Sequence, residues 1–223
     1  MQKQVLEEIY RSHHTRGKRY GYLYCDGARG PYLKEWIGTG KRVLDLGCRD
    51  GALTSFFTKG NEVIGIDIDQ RALEIAKTKL SIQTLWLDLN QEWPFAHHSF
   101  DVIVACEILE HLFFLDLFLE KISQTLTTGG LFIGSVPNAF RLKNRLKFLF
   151  GKEYESDPTH VRQFSYALLK KTLARWFSSI AVVPLQGKIL PLLPVGKKTP
   201  KTLSRLVAKD LLWRASTRTM PSV

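Results

Sequence analysis

The stretch VLDLGCRDG, residues 43–51, decides the fold. Val43, Leu44 and Leu46 make an apolar run too short for a helix, and Gly47 and Gly51 bracket a turn directly after it. GALTSFFTKG, ending at Gly60, then reads as a short helix closed by glycine. Strand, Gly-bearing turn and helix in that order form the opening of a unit that seats a ligand at the carboxyl end of its strand. Outward from there the pattern repeats. EVIGID is a second strand, and QRALEIAKTKL is a helix with Leu73, Ile75, Ala76 and Leu80 as its apolar positions. IQTLWL is a third strand, SFDVIVACE a fourth, Ile108 to Leu126 a Leu- and Phe-rich helix, and GGLFIGSVP a fifth strand. Such alternation predicts an α/β fold with a mostly parallel sheet and helices on both faces.

After Asn138 the alternation pauses. AFRLKNRLKFLFGKEYESDPTHVRQF suggests an inserted basic helix and a loop, after which SYALLKKTLARWF and SIAVVPL resume the helix and strand pattern. From Gln186 the chain holds Pro191, Pro194 and Pro200, then KTLSRLVAKDLLWRA, expected as a closing helix.

The 223 residues suit one domain with additions, and 44% apolar with 24% charged residues excludes general disorder and a membrane channel. No apolar run reaches a membrane span: LFFLDLFLE is broken by Asp116, and ILPLLPV is short and holds two prolines. The first 22 residues lack the apolar segment of a secretory signal, so the expected location is cytoplasmic. Cys25, Cys48 and Cys106 are odd in number and widely spaced, as expected of reduced thiols. The net charge of +11 is uneven: residues 1–138 carry 15 Lys and Arg against 17 Asp and Glu, whereas residues 139–223 carry 17 against 4. The C-terminal excess suits phosphate, nucleic acid or anionic lipid, or serves solubility alone.

Three acids stand at strand ends. Gly47 and Gly51 let the backbone approach a ligand beside Asp45. Asp67, sixteen residues past Gly51 in VIGIDID with Ile68 beside it, is placed to accept both hydroxyl protons of a ribose. Asp88, in LWLDL, is placed to accept from an exocyclic amine such as that of adenine. A dinucleotide site fits less well, because GCRDGA sets bulky Arg49 where a pyrophosphate needs close backbone. Any one of these acids alone could cap the following helix, but three in register after successive strands describe a nucleoside pocket.

VLDLGCRDG, VIGIDID, WLDLNQEWPFAHHSFDVIVACEILEHL and GLFIGSVPN together resemble the successive motifs of class I S-adenosylmethionine-dependent methyltransferases, over roughly residues 41–138. Within these the branch with E-x-x-E-H, typified by ubiquinone-pathway O-methyltransferases and small-RNA 2′-O-methyltransferases, is most similar. The resemblance implies a Rossmann-like seven-stranded sheet. It places Asp45 and Gly47 at the amino-acid end of S-adenosyl-L-methionine, Asp67 at the ribose, Asp88 at the adenine amine, Leu89 beside the ring and Glu107 near the cofactor. It implies an N-terminal helical cap over residues 1–40, a methyltransferase domain over 41–184 with a basic lid insertion at 139–163, and a basic C-terminal extension over 185–223. Arg49 stands where members carry a third glycine, a departure that bears on the grip on the methionine end.

CEILEHL, residues 106–112, sets Glu107, Glu110 and His111 at i, i+3 and i+4, one face of the helix expected there. Like charges at that spacing call for a proton or a cation. The resemblance makes this set, with His160 of DPTHVRQF, a site for Mg²⁺ or Mn²⁺, which would lower the pKa of a bound hydroxyl. Without a metal, His111 is a substrate contact and His160 the general base. His97 and His98 are expected to be solvated, and His13 and His14 carry no assigned role. The expected activity is O-methylation of a small-molecule or lipid-linked hydroxyl, the alternatives being an RNA 2′-O-methyltransferase and a non-catalytic cofactor-binding scaffold encouraged by Arg49. AFRLKNRLKFLFG, residues 139–151, sets Leu142, Leu146, Leu149 and Phe150 along one stripe among basic residues. The expected placement is a lid that packs this stripe on the domain. The alternative, shared by the C-terminal extension, is peripheral contact with an anionic membrane, and RNA contact through the basic residues and Phe140, Phe148, Phe150, Tyr154 and Phe164 is a third.

Overall fold

The computed structural model describes residues 2–22, 27–91, 93–153, 157, 159–186, 188–190, 193–194 and 200–217. Cys25, Tyr154 and part of the 185–223 segment lie outside the described residues. Two helices, α1 (Gln2–Arg16) and α2 (Arg29–Ile37), precede the sheet. Strands β1 (Arg42–Leu46), β2 (Glu62–Asp67), β3 (Gln83–Trp86), β4 (Phe100–Cys106) and β5 (Leu126–Pro137) then run parallel, with α3 (Gln70–Leu80) after β2 and α4 (Leu115–Thr125) after β4. After β5 come α5 (Leu142–Leu149), α6 (Tyr166–Leu173), β6 (Ser179–Leu185) and the ribbon of β7 (Lys188–Leu190) and β8 (Leu193–Pro194). Helix α7 (Lys201–Val207) and strand β9 (Asp210–Ser216) close the described chain.

The sheet has seven strands in the order β3-β2-β1-β4-β5-β9-β6, with β9 antiparallel to both of its neighbours. The α/β, mostly parallel architecture expected from the strand and helix alternation is therefore present. Two expectations fail. KTLSRLVAKDLLWRA is helical only to Val207; its second half is β9, which lies inside the sheet rather than beyond it, so part of the 185–223 segment is integral to the domain. The physical reason is burial on both faces: Leu211, Leu212 and Trp213 are each at 0% exposure, as befits a strand between two others with both faces covered. GALTSFFTKG is a series of turns with a short 3-10 helix at Thr54–Phe56.

Period-two alternation divides the core. Val102 and Val104 of β4 face a layer with Leu33 and Ile37 of α2, while Ile103 and Ala105 face Phe118, Leu119 and Ile122 of α4 and Leu169 and Leu173 of α6. Phe132 stacks on Phe177 at 5.3 Å and meets Trp213 edge-on at 5.7 Å, so the segment that follows α6 is anchored through β5 to the late strand. Burying each such Phe contributes about 1.5–3 kcal/mol. This rigid sheet fixes the tips of β1, β2, β3 and β4 side by side, and the site is built on those tips.

Candidate functional site

A cavity of about 620 Å³ lies over the carboxyl ends of the strands. Its walls include Asp45, Gly47, Asp67, Ile68, Asp88 and Leu89, all expected at the cofactor. Glu107, His111 and His160 line it as well. Gly51, expected at the ligand, does not line it. Gly51 has a φ of 76° and faces α3, where a Cβ would collide with Leu80, so its place in the sequence reflects packing and backbone. Gly47, with a φ of 74°, does line the cavity, and a Cβ on it would strike Ile108.

The three acids are held differently. Asp45 is buried, accepts a 2.6 Å hydrogen bond from the Thr54 hydroxyl, and is pushed by burial up to about 7. Asp67 accepts the backbone N–H of Arg49 at 2.8 Å on one oxygen and that of Asp69 at 2.9 Å on the other, which fixes the plane of the carboxylate. Each oxygen keeps a further lone pair for a ribose hydroxyl. Burial raises its pKa, and backbone N–H groups and His14 oppose the rise. The cap of α3 is supplied by Asp69, which accepts from the backbone N–H of Ala72, so Asp67 is not spent as a cap. Asp88 accepts the backbone N–H of Asn90 at 2.9 Å.

Arg49 stands where the resemblance expects a glycine, and its own backbone occupies the left-handed region. It adopts a φ of 50°, its N–H serves Asp67, and its side chain leaves toward Asp50 at 3.1 Å and the carbonyl of Tyr22. Arg49, the feature that encouraged a non-catalytic scaffold, both anchors the N-terminal segment and lines the cavity. That segment covers the pocket. His14 Nδ1 lies 2.8 Å from Asp69, the Tyr20 hydroxyl donates to the same carboxylate at 2.8 Å, and Leu6, Tyr10 and His13 complete the cavity wall. His14 and Tyr20 hold Asp69 below the usual carboxylate range against the opposing effect of burial, the largest single influence on it.

CEILEHL is not one helical face. Glu107 has a φ of 58°, Leu109–His111 form a single 3-10 turn, and α4 begins only at Leu115. The left-handed residue sends Glu107 away from its two expected partners: its Oε1 accepts from the Ser135 hydroxyl at 2.8 Å and lies 3.2 Å from the guanidinium of Arg29. Arg29, buried at 4% exposure, also lies 3.8 Å from Asp210 and lines the cavity. Burial raises the Asp210 carboxyl, with Glu107 adding to the rise.

The metal candidates therefore reduce from four to three. Donor atoms of Glu110, His111 and His160 lie within 4.8 Å of one another. Glu110 is buried at 1% exposure and neither carboxylate oxygen has a hydrogen-bond partner among the described residues. Burial and then Glu107 raise its pKa well above the ordinary value. His111 Nδ1 lies 3.1 Å from the carbonyl of Thr159, which leaves Nε2 as its ligating atom, and burial followed by His160 lowers its pKa to about 4. The His111 imidazole held neutral, the His160 imidazole beside it and a buried carboxylate with no hydrogen-bond partner among the described residues are a donor set that suits a divalent ion such as Mn²⁺. The cavity likewise fits S-adenosylmethionine: a glycine where a side chain would intrude, and acids at three successive strand tips.

Asp157, His13 and Tyr10 were not assigned from the sequence. Asp157 accepts from the Thr159 hydroxyl at 2.6 Å and lies 3.1 Å from His13 Nε2 and 3.8 Å from His160 Nε2, and the Tyr10 ring meets His111 edge-on at 5.8 Å. Asp157 stands three before His160, a spacing visible in DPTH, whereas nothing local announces Arg29, Tyr10 or His13.

Comparison with known proteins agrees with this geometry. A methyltransferase domain family matches residues 17–179. A ubiquinone biosynthesis O-methyltransferase from Mesorhizobium japonicum is 32% identical over 120 residues, 52% of this chain and 48% of that protein. The chain thus spans about half the length of the curated relatives it matches. Among solved structures, an S-adenosylmethionine-dependent methyltransferase from Thermotoga maritima superposes with a TM-score of 0.68 at 15% identity, covering 96% of this chain and 99% of that one. The N-methyltransferase NodS from Bradyrhizobium japonicum, in complex with S-adenosyl-L-homocysteine, gives 0.60 at 18% identity, covering 87% and 88%. At those identities the structures establish the fold alone. The chain belongs to the methyltransferase domain family and has the class I, S-adenosylmethionine-dependent fold.

Proposed function

We infer that this protein transfers the methyl group of S-adenosylmethionine to a hydroxyl oxygen of a small-molecule or lipid-linked acceptor. One observation carries the reading: His111 and His160 line the same cavity as Asp45, Asp67 and Asp88. The strand-tip acids bind and orient the donor, and the cavity between them and the imidazoles receives the acceptor. Alignment in a water-poor cavity supplies most of the acceleration, because the sulfonium is already an activated donor. The remaining demand is removal of the acceptor's proton. His160 Nε2 is placed to take it, with Asp157 3.8 Å away as the positioning residue. Glu110, His111 and His160 would hold a divalent cation, whose charge would acidify a hydroxyl at that end of the cavity. With the cation held there, Glu110 serves as the anionic ligand and His160 is engaged as a ligand, so proton removal falls to solvent; the two modes differ in whether His160→Ala is rescued by added Mn²⁺.

The test is turnover of methyl-labelled S-adenosylmethionine with catechols, phenols, prenylated catechols, amines and small RNA, with and without Mn²⁺. Label is expected on oxygen of the phenolic or catecholic acceptors, with a loss of about 10²–10⁴-fold in His111→Ala and His160→Ala. Label confined to amine nitrogen, label confined to RNA, or undiminished turnover in both variants overturns the reading.

A further inference from the structure

Helix α5 does not behave as a lid. Its one buried residue is Asn144, whose side chain donates to the carbonyl of Ala139 at 2.9 Å. The stripe expected to pack on the domain is turned outward: Leu142 is 39%, Leu146 46%, Leu149 73% and Phe150 72% exposed, and Phe148, outside the stripe, is 74% exposed. Large apolar side chains clustered in this way mark a contact surface. Between residues 139 and 152 the chain also carries Arg141, Lys143, Arg145, Lys147 and Lys152 and no acid.

We propose that α5 and its apolar tip dock this protein on an anionic lipid bilayer, setting the mouth of the cavity at the headgroup level. The charge selects the partner. Cations interleaved with exposed aliphatic and aromatic groups match a negatively charged surface with an apolar interior beneath it. A second copy of the chain would bring five cations against five across a two-fold axis. Nucleic acid would satisfy the cations and could stack on Phe148 and Phe150, yet it would leave Leu142, Leu146 and Leu149 in water, where a bilayer interior would bury them. Another exposed apolar patch, Phe113, Phe114 and Leu117, lacks this signature: Asp116 sits within it, paired with Arg175 at 2.7 Å.

The orientation follows from the inner side of the same helix. Arg141 and Asn144 line the cavity, so α5 is at once the rim of the site and the docking surface. An acceptor dissolved in the bilayer would enter past this rim without crossing water. The docking itself does not depend on the proposed O-methylation; only the route of the acceptor does.

The experiment is flotation of the full chain with vesicles of phosphatidylcholine alone and of phosphatidylcholine mixed with phosphatidylglycerol, across a range of salt. Calorimetry with S-adenosylhomocysteine on the same samples reports the folded site. Binding is expected to the anionic vesicles and to weaken with salt. The triple variant Phe148→Ser, Leu149→Ser, Phe150→Ser should lose more than about tenfold in partitioning while binding S-adenosylhomocysteine as before. Lys143→Glu with Lys147→Glu should abolish the preference for anionic vesicles. Equal binding to both vesicle types, unchanged flotation of the triple variant, self-association that the triple variant abolishes in the absence of vesicles, or retention of RNA with no vesicle binding each overturns the proposal. Vesicle binding by a protein that takes up no S-adenosylhomocysteine would sink the functional reading and leave the docking standing.

Discussion

Asp45 offers the sharpest test of the cofactor end. Burial lifts its carboxyl from 3.8 to about 7 in the cofactor-free protein, against the pull of the Thr54 hydroxyl. The folded state therefore holds the proton more tightly than the unfolded chain. The stability this lends is present in full below about pH 4 and lost as the pH rises through about 7, a span worth about 4 kcal/mol. A cofactor whose ammonium faces Asp45 needs the ionised form, so binding and protonation compete. About one molecule in ten is ionised one pH unit below the midpoint and about one in a hundred two units below. Affinity for S-adenosylhomocysteine should accordingly fall about tenfold per pH unit below neutrality. Calorimetric titration between mildly acid and mildly alkaline pH measures the slope, and Asp45→Asn should bind more weakly at alkaline pH with the slope reduced by one proton. A flat profile in the native protein, or an unchanged slope in Asp45→Asn, would refute this account of the strand tip.

Four further outcomes follow from the site. Glu110→Gln should lose Mn²⁺ binding by more than tenfold without lowering the melting temperature of the metal-free protein, because the carboxylate it replaces is buried with both oxygens unsatisfied; a drop of several degrees in scanning fluorimetry would contradict it. In the native protein Mn²⁺ affinity should rise with pH, since Glu110 must give up its proton while His111, lowered to about 4, is neutral throughout; the pH dependence of Mn²⁺ titrations checks the sign. Gly47→Ala should cost about 1–2 kcal/mol in urea denaturation through its φ of 74° alone, and more if Ile108 cannot move aside. His14→Ala should release α1 from Asp69, read as hydrogen exchange across residues 2–16 faster by about tenfold, with the α3 cap at Ala72 retained.

How much of this was legible in the sequence depended on where the deciding interaction lay. Strands β1, β2, β3 and β4 announce themselves because each is a short apolar run followed within two residues by a glycine or an acid, which needs no distant information to be read. Strand β9 is different. Asp210–Ser216 pairs with β5, some eighty residues earlier, and its apolar run continues the amphipathic pattern of KTLSRLVA, so only tertiary pairing converts it from helix to strand. The same limit hides Arg29, which reaches Glu107 and Asp210 from the N-terminal helix, and His13, which reaches Asp157 across the cavity. The stripe of α5 was visible as a pattern, but whether it faced the domain or solvent was not, because periodicity reports that a helix has two faces and not which of them is covered. Glu107 and Glu110 carry the argument furthest. They are the same residue type, three positions apart, in a segment whose spacing predicts a shared face. A φ of 58° at Glu107 sends one to Arg29 and Ser135, while the 3-10 turn at 109–111 brings the other to His111 and His160. A left-handed glutamate is held by what surrounds it, here the Glu107 N–H donated at 2.8 Å to the carbonyl of Ser135 on the neighbouring strand. The division of the two carboxylates between a cofactor wall and a candidate metal site is thus set by the register of β4 against β5, which spacing along one chain segment cannot encode.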